Sequence, residues 1–248
     1  MKINKVEPEF NLKANARIGL ITLGTDFTIE KDFNNVIYGK DIDLYVNRIH
    51  CYNPLTNETL AKMAEDITEV TKDILPDQKL DCVAYGCTSG TIAAGYDTIK
   101  SKINLAKPSA KVTTPITSTI KALKKLDIKK ISIFTPYTNA INDSVVNYFK
   151  KENISINSLT YFDIASDLDI GKVDENYLFE VLSKIDLEDS DALFVSCTGL
   201  PVLSIIDKLE KKLNKVILSS NQTLIWDALN LIGNKNKIKG YGKIFDIN

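Results

Sequence analysis

One segment of this chain occurs twice. Asp81-Cys-Val-Ala-Tyr-Gly-Cys87-Thr88 returns 110 residues later as Asp191-Ala-Leu-Phe-Val-Ser-Cys197-Thr198, an acid and an apolar stretch ending in Cys-Thr. A second pair, Arg17-Ile-Gly-Leu-Ile-Thr-Leu-Gly-Thr25-Asp26 and Lys130-Ile-Ser-Ile-Phe-Thr-Pro-Tyr-Thr138-Asn139, is offset by 113 residues. Two matched elements in the same order at nearly equal spacing predict two similar lobes, not one continuous sheet. The period is too long for a solenoid, whose repeats run to about 20–50 residues. The 248 residues suffice for two lobes of roughly 100–125 residues, each able to bury a core.

Short β-branched runs alternate with helical patterns throughout. The predicted strands are Arg17–Leu23, Asp43–Ile49, Asp81–Gly86, Lys111–Pro115, Lys130–Thr135, Ile154–Tyr161, Asp191–Ser196 and Lys215–Leu218. From Thr56, a plausible N-cap, Leu60, Met63, Ala64, Ile67, Val70 and Ile74 form one apolar stripe. Other helices are expected from Asp174, through Leu178 and Leu182, and from Pro201, through Ile205, Ile206 and Leu209. Trp226 and Leu224 mark an apolar C-terminal helix expected to dock on a lobe. Strands alternating with helices of this length imply βαβ crossovers and an α/β class with parallel sheets. The expected division is an N-terminal lobe of 1–116 plus 220–248 and a C-terminal lobe of 117–219, related by pseudo-twofold symmetry.

Composition excludes several function classes. The 31 Lys+Arg against 32 Asp+Glu give a net charge of −1, so no concentrated positive field for nucleic acid is expected. No apolar run approaches the roughly 20 residues needed to cross a bilayer. The opening MKINKVEPEFNLKANA lacks the apolar core of a secretory leader, and a cytoplasmic protein with reduced cysteines is expected. His50 is the single histidine, so no His-based metal cluster can form, and no metal is expected. Arg17 and Arg48 are the only arginines, so carboxylate recognition must lean on backbone N–H groups, hydroxyls, amides or lysines. The Lys121–Lys130 stretch reads as a solvated helix face. Neither a G-x-G-x-x-G nor a P-loop motif is present.

In open parallel sheets, ligands bind beyond the carboxyl ends of the strands. Cys87 and Cys197 each stand at such an end, followed by Thr88, Ser89 and Gly90 or by Thr198 and Gly199. A helix N-terminus there lowers a thiol pKa, and small residues let the backbone donate to a carboxylate. Related by pseudo-symmetry, the two thiols would face each other across a cleft, placed to act on opposite faces of one carbon. A single strand-end cysteine is usually packing, and Cys82, inside a strand, reads as core. Its recurrence before Thr in both halves is what points to chemistry. His50 and Cys51 are adjacent, so on a strand they point to opposite faces and form no dyad.

The Cys87-Thr-Ser-Gly-Thr and Ser196-Cys197-Thr-Gly-Leu-Pro motifs resemble those of the aspartate/glutamate racemase superfamily, in its maleate isomerase and arylmalonate decarboxylase branch. Ile18-Gly-Leu-Ile-Thr-Leu-Gly-Thr-Asp26-Phe-Thr-Ile-Glu30 and Thr135-Pro-Tyr137-Thr are most similar to the ectoine-utilisation protein A group. The resemblance spans the chain from about Arg17 onward. It implies two Rossmann-like lobes, an active site between them, no cofactor, and a cytoplasmic enzyme, with a homodimer the default assembly. In racemases of this kind one cysteine removes the α-proton and the other returns one on the opposite face. In maleate isomerases the cysteine matching Cys87 adds to the double bond, which then rotates as a single bond before elimination. Arylmalonate decarboxylases keep only the second cysteine, so Cys87 speaks against that activity.

Thr88, Ser89, Thr198 and Gly199 are expected to bind a substrate carboxylate at the strand ends, and Tyr137 to orient one through its hydroxyl. Maleate isomerases carry an asparagine where this chain has Asp26, and a second asparagine matches Asp167. A carboxylate repels a dicarboxylate and attracts an ammonium group, which tilts the expected substrate toward an amino-acid-like acid, such as an intermediate of ectoine degradation. Capping of the next helix is the competing role for Asp26. Asn139 is expected to sit symmetrically to Asp26. Three functions stay open: a cofactor-independent racemase or epimerase, a maleate cis-trans isomerase using Cys87, and a small-carboxylate-binding protein without turnover.

Overall fold

The computed structural model describes residues 1–10 and 15–247. Eight strands form two separate four-stranded sheets. The first holds β1 (Ala16–Leu23), β2 (Ile42–Ile49), β3 (Cys82–Gly86) and β4 (Lys111–Thr113) in the order β2-β1-β3-β4. The second holds β5 (Lys130–Thr135), β6 (Ser155–Tyr161), β7 (Ala192–Val195) and β8 (Val216–Ser219) in the order β6-β5-β7-β8. Every pairing is parallel, so each connection must cross over and carries helical turns. The first half supplies α1 (Ile29–Ile37), α2 (Asn57–Lys62), α3 (Ile67–Lys72), α4 (Thr88–Ala94), α5 (Tyr96–Ala106) and α6 (Pro115–Lys125). The second supplies α7 (Asn139–Lys151), α8 (Asp167–Ile170), α9 (Glu175–Leu182), α10 (Ile206–Leu213) and α11 (Ser220–Leu231). The α/β class and the paired sheets are those the repeat predicts.

The acid of the repeated segment has one task in both halves. Asp81 accepts the Arg17 N–H at 2.8 Å, and Asp191 accepts the Lys130 N–H at 2.9 Å. Each carboxylate thereby fixes where the first strand of its sheet begins beside the third. Strand interiors are apolar on both faces, as a covered parallel sheet requires: Ile18, Leu20 and Val83 in one half, Ile131, Ile133 and Phe194 in the other are fully buried. Each such side chain contributes on the order of 1.5–3 kcal/mol by leaving water.

The stripe after Thr56 is helical but segmented. Thr56 and Thr59 form a reciprocal cap, and a 3-10 turn at Met63–Asp66 separates α2 from α3. Asp174 caps α9 by accepting the Tyr177 N–H at 2.8 Å. The two prolines expected near element ends behave differently. Pro115 leaves the strand expected over Lys111–Pro115 and opens α6, where its missing N–H costs nothing. Pro201 does not open a helix: a 3-10 turn at Leu203–Ile205 intervenes and α10 starts at Ile206. The carbonyls just upstream are committed elsewhere, Thr198 to the Asn221 amide (2.8 Å) and Gly199 to the Thr28 hydroxyl (2.9 Å).

After β8 the chain crosses back to the first sheet. Helix α11 is buried from Ser220 through Leu229 and packs on α6 and β3. Asp227 anchors it there, accepting from Thr113 (2.6 Å), Ser118 (3.2 Å) and Lys121 (2.6 Å). Lys121, Lys124 and Lys125 all stay on the solvated face expected of the lysine-rich stretch, Lys121 reaching Asp227 from it with its side chain 47% exposed. Among the described residues no helix is long and apolar enough to cross a membrane.

Candidate active site

Cys87 and Cys197 lie at the carboxyl ends of β3 and β7, corresponding third strands of the two sheets. Cys87 is the N-cap of α4, and its Sγ accepts the Gly90 N–H at 3.2 Å, with Ser89 Oγ at 3.9 Å. Gly90 is dictated by the sulfur: a Cβ there would meet Cys87 Sγ at 2.8 Å and Tyr85 Oη at 3.0 Å. Cys197 is held differently. Its φ of 109° is one that L residues rarely adopt, and its N–H donates to Ser220 Oγ at 3.0 Å. The Tyr137 hydroxyl and the Gly199 N–H both favour its thiolate. Each sulfur thus has a backbone N–H and a hydroxyl beside it. Tyr137 joins them, since both thiols act on its fully buried phenol.

Burial dominates the electrostatics. It pushes the Cys87 thiol up, and the neighbouring Cys51 and Asp167 push it further against the Gly90 N–H. Burial likewise holds Cys197 well above the ordinary thiol range, with Asp167 and Asp26 adding to it. Burial therefore favours the protonated thiol at both sulfurs. An arriving ligand must favour a thiolate before either can act as a base or nucleophile.

The remaining expected residues divide clearly. Thr88 and Thr198 are buried and connect the halves, Thr88 Oγ1 donating to Ser220 Oγ at 2.8 Å and Thr198 Oγ1 to the Gly86 carbonyl at 3.2 Å. Ser89 and Gly199 lie beside the sulfurs. Asp26 is 3% exposed and does cap α1, its Oδ1 accepting from Thr28 (2.7 Å) and Ile29 (2.9 Å), while Oδ2 is buried without a hydrogen-bond partner. Asp167 is 6% exposed and accepts a hydrogen bond from the Thr25 hydroxyl across the halves. Asn139 does not mirror Asp26. It is exposed on the first turn of α7, because Asn142, one turn on, takes the inward place and bonds Thr135 Oγ1 (2.5 Å) and the Tyr137 carbonyl (3.1 Å). His50 is exposed and Cys82 is fully buried core.

Three residues of the site were not evident in the sequence. Cys51 is 6% exposed and close enough to Cys87 to act on it; burial raises its own thiol to about 11. Thr25 holds Asp167. Ser220 is the third, and its Oγ joins the two cysteine loops, accepting from Thr88 on one side and Cys197 N on the other. The polar run Ser219-Ser-Asn-Gln-Thr223, opening a helix buried all round, was the available signal. Ser220→Ala leaves a buried N–H and a buried hydroxyl unpaired, at a cost of about 1–3 kcal/mol. The expected result is a kcat lowered roughly tenfold or more with KM little changed, since Ser220 positions Cys197. Equal loss in the two parameters' ratio through KM alone would assign it to substrate binding.

The Phe27 ring covers Gly171, where a Cβ would meet Cδ2 at 2.5 Å, and both border a cleft of about 390 Å³ with Thr28, Asp32 and Pro201. A larger cleft, about 620 Å³, lies at the opposite end of the first sheet, among Lys72, Leu80 and Lys107, away from the thiols. Among the described residues no group of three His, Cys, Asp or Glu could hold a metal.

The family model for arylmalonate decarboxylase matches residues 46–245. A maleate isomerase of Geobacillus stearothermophilus is 25% identical over 244 residues, covering 92% of this chain and 96% of that protein. An arylmalonate decarboxylase of Bordetella bronchiseptica is 27% identical over 137 residues, 54% of this chain and 57% of that one. Among solved structures, a variant of the Nocardia farcinica maleate cis-trans isomerase with a covalently bound succinylcysteine intermediate superposes with a TM-score of 0.85. It is 19% identical and covers 93% of this chain and 98% of its own.

Proposed function

The chain belongs to the arylmalonate decarboxylase family, and on that footing we propose that it is a cofactor-independent isomerase of a small carboxylic acid, working through Cys87 and Cys197. The observation that carries this reading is the matched equipment of the two sulfurs. Each ends the third strand of its own sheet, each has a backbone N–H and a hydroxyl beside it, and both act on Tyr137. Matched groups on two sides are what proton exchange at one carbon requires. One thiolate takes the α-proton, the other thiol delivers its own to the opposite face, and the two sulfurs end with exchanged protonation. The product is the racemised or epimerised acid. The backbone N–H groups of Thr88, Ser89, Thr198 and Gly199 supply donors for its carboxylate, the Thr88 and Thr198 hydroxyl protons being already committed.

A second reading is favoured by the likeness to maleate isomerases over nearly the whole chain. There the Cys87 thiolate forms a C–S bond at one alkene carbon and a proton is placed on the other. Rotation and elimination then return the thiolate, the proton and the trans alkene. The presence of Cys87 favours either isomerisation over decarboxylation. The opening motif through Glu30 supports a place near the ectoine-utilisation protein A group.

Proton NMR in D₂O separates the two. With aspartate and diaminobutyrate derivatives, loss of the α-proton signal without net chemical change is the expected result. Conversion of maleate to fumarate would establish the second reading instead. Neither change, across both substrate sets, would leave a binding protein.

A further inference from the structure

The closed site contains two carboxyl groups that the thiol chemistry does not use. Asp26 accepts the Thr28 and Ile29 N–H groups at Oδ1, the Thr198 hydroxyl nearby also favours its ionised form, and its buried Oδ2 has no partner within hydrogen-bond distance. Asp167 arrives from the other half on α8, anchored by the Thr25 hydroxyl and by its own N–H to Asn53 Oδ1 at 3.1 Å. The two acids act on each other and both act on Cys197. The other titratable groups facing them are Cys51, Cys87 and Asp32, all of which are acids. Arg48 is the cation that acts on Asp26. Its guanidinium is already committed, to the carbonyls of Leu23 (3.2 Å) and Asp26 (3.0 Å) and to Glu30 (2.8 Å).

An ionised carboxylate is an acceptor only. Burial, and for Asp167 its neighbour Asp26, push both carboxyl groups above the ordinary carboxylate range; ionised beside a working thiolate they would concentrate negative charge, and a dicarboxylate substrate would add two more. An ammonium group reverses that balance: it donates to the unpartnered Oδ2 and favours the thiolate the reaction needs. We propose that Asp26 and Asp167 form a cation-recognising subsite, so that the substrate is a small acid bearing an ammonium group and not a plain dicarboxylate. The proposal deepens and rests on the two-thiol isomerase reading. Asp26 caps α1 and recognises substrate at once, with one oxygen for each task.

The test is calorimetric binding of a four-carbon series to the intact chain: succinate and maleate with two negative charges, aspartate with a net single negative charge, and 2,4-diaminobutyrate with a net positive one. Wild-type protein is expected to bind aspartate or 2,4-diaminobutyrate at least tenfold more tightly than succinate, with affinity rising as pH rises and the two carboxyls ionise. Asp26→Asn keeps the Oδ1 cap and Asp167→Asn keeps the acceptor for Thr25. Each is expected to shift the preference at least tenfold toward succinate and maleate. Dicarboxylate binding to the wild type that is equally tight and weakens with rising pH would overturn the proposal, because neutral carboxyl groups would then be acting as donors. So would an unchanged preference in both variants, each folded by circular dichroism. Ammonium selectivity without turnover of any probe would leave the subsite standing and remove the isomerase reading.

Discussion

Cys87→Ser and Cys197→Ser are each expected to lower turnover by about a hundred- to ten-thousandfold while substrate still binds, the range seen when a positioned acid or base is lost. The size follows from the local chemistry. Burial already holds both thiols above their ordinary range, and the Gly90 N–H with Ser89 on one side, and Tyr137 with Gly199 on the other, favour the thiolates. A serine hydroxyl in either place starts far higher still, beyond what those donors offset. In proton exchange between two faces, one lost sulfur is enough, because each sulfur serves one face. Loss of the Cys87 covalent adduct alone, read by mass spectrometry with maleate, would point to addition across a double bond. Full turnover in both variants would remove the thiols from the mechanism.

Gly90→Ala is expected to damage both the fold and the Cys87 sulfur's place in it. The added carbon would lie 2.8 Å from Cys87 Sγ, 3.0 Å from Tyr85 Oη and 3.1 Å from Met63 Cε, three side chains buried together. Something must shift, and overpacking of this kind costs about 1–3 kcal/mol, or roughly 2–10 °C in melting temperature. Displacing the sulfur that accepts the Gly90 N–H should lower kcat by at least about tenfold. Gly199→Ala makes the comparison informative. Its carbon would meet Ile170 at 3.3 Å and Cys197 Sγ at 3.7 Å, contacts that small adjustments relieve. Its melting temperature and kcat are therefore expected to change less than those of Gly90→Ala; equal effects would show that the Cys87 sulfur has room to move.

Much of the architecture was legible in the chain. The strands follow from apolar runs that need no polar face, because a covered parallel sheet buries both. The acid that begins each repeated segment was visible as a recurring letter, and the structure explains it: Asp81 and Asp191 each accept the N–H that begins a neighbouring strand. Where the reading went astray, long-range contacts had claimed the backbone. Pro201 has the residue type of a helix start, but the carbonyls before it serve Asn221 and Thr28. Asn139 aligns with Asp26 in the repeat, but Asn142 takes the inward place one helical turn later.

The sequence by itself determined that there are two α/β halves and that each places a cysteine at the end of a corresponding strand. These are local properties, set by periodicity, strand ends and residue type. Only the tertiary structure decided what meets at the thiols. It carried Ser220 from the C-terminal helix to a point between the two cysteine loops, and Asp167 across to Thr25. It also left one oxygen of Asp26 unpartnered. Thr88 with Ser220 and Thr25 with Asp167 are more than a hundred positions apart, and burial and hydrogen bonding in three dimensions, not spacing along the chain, select such meetings.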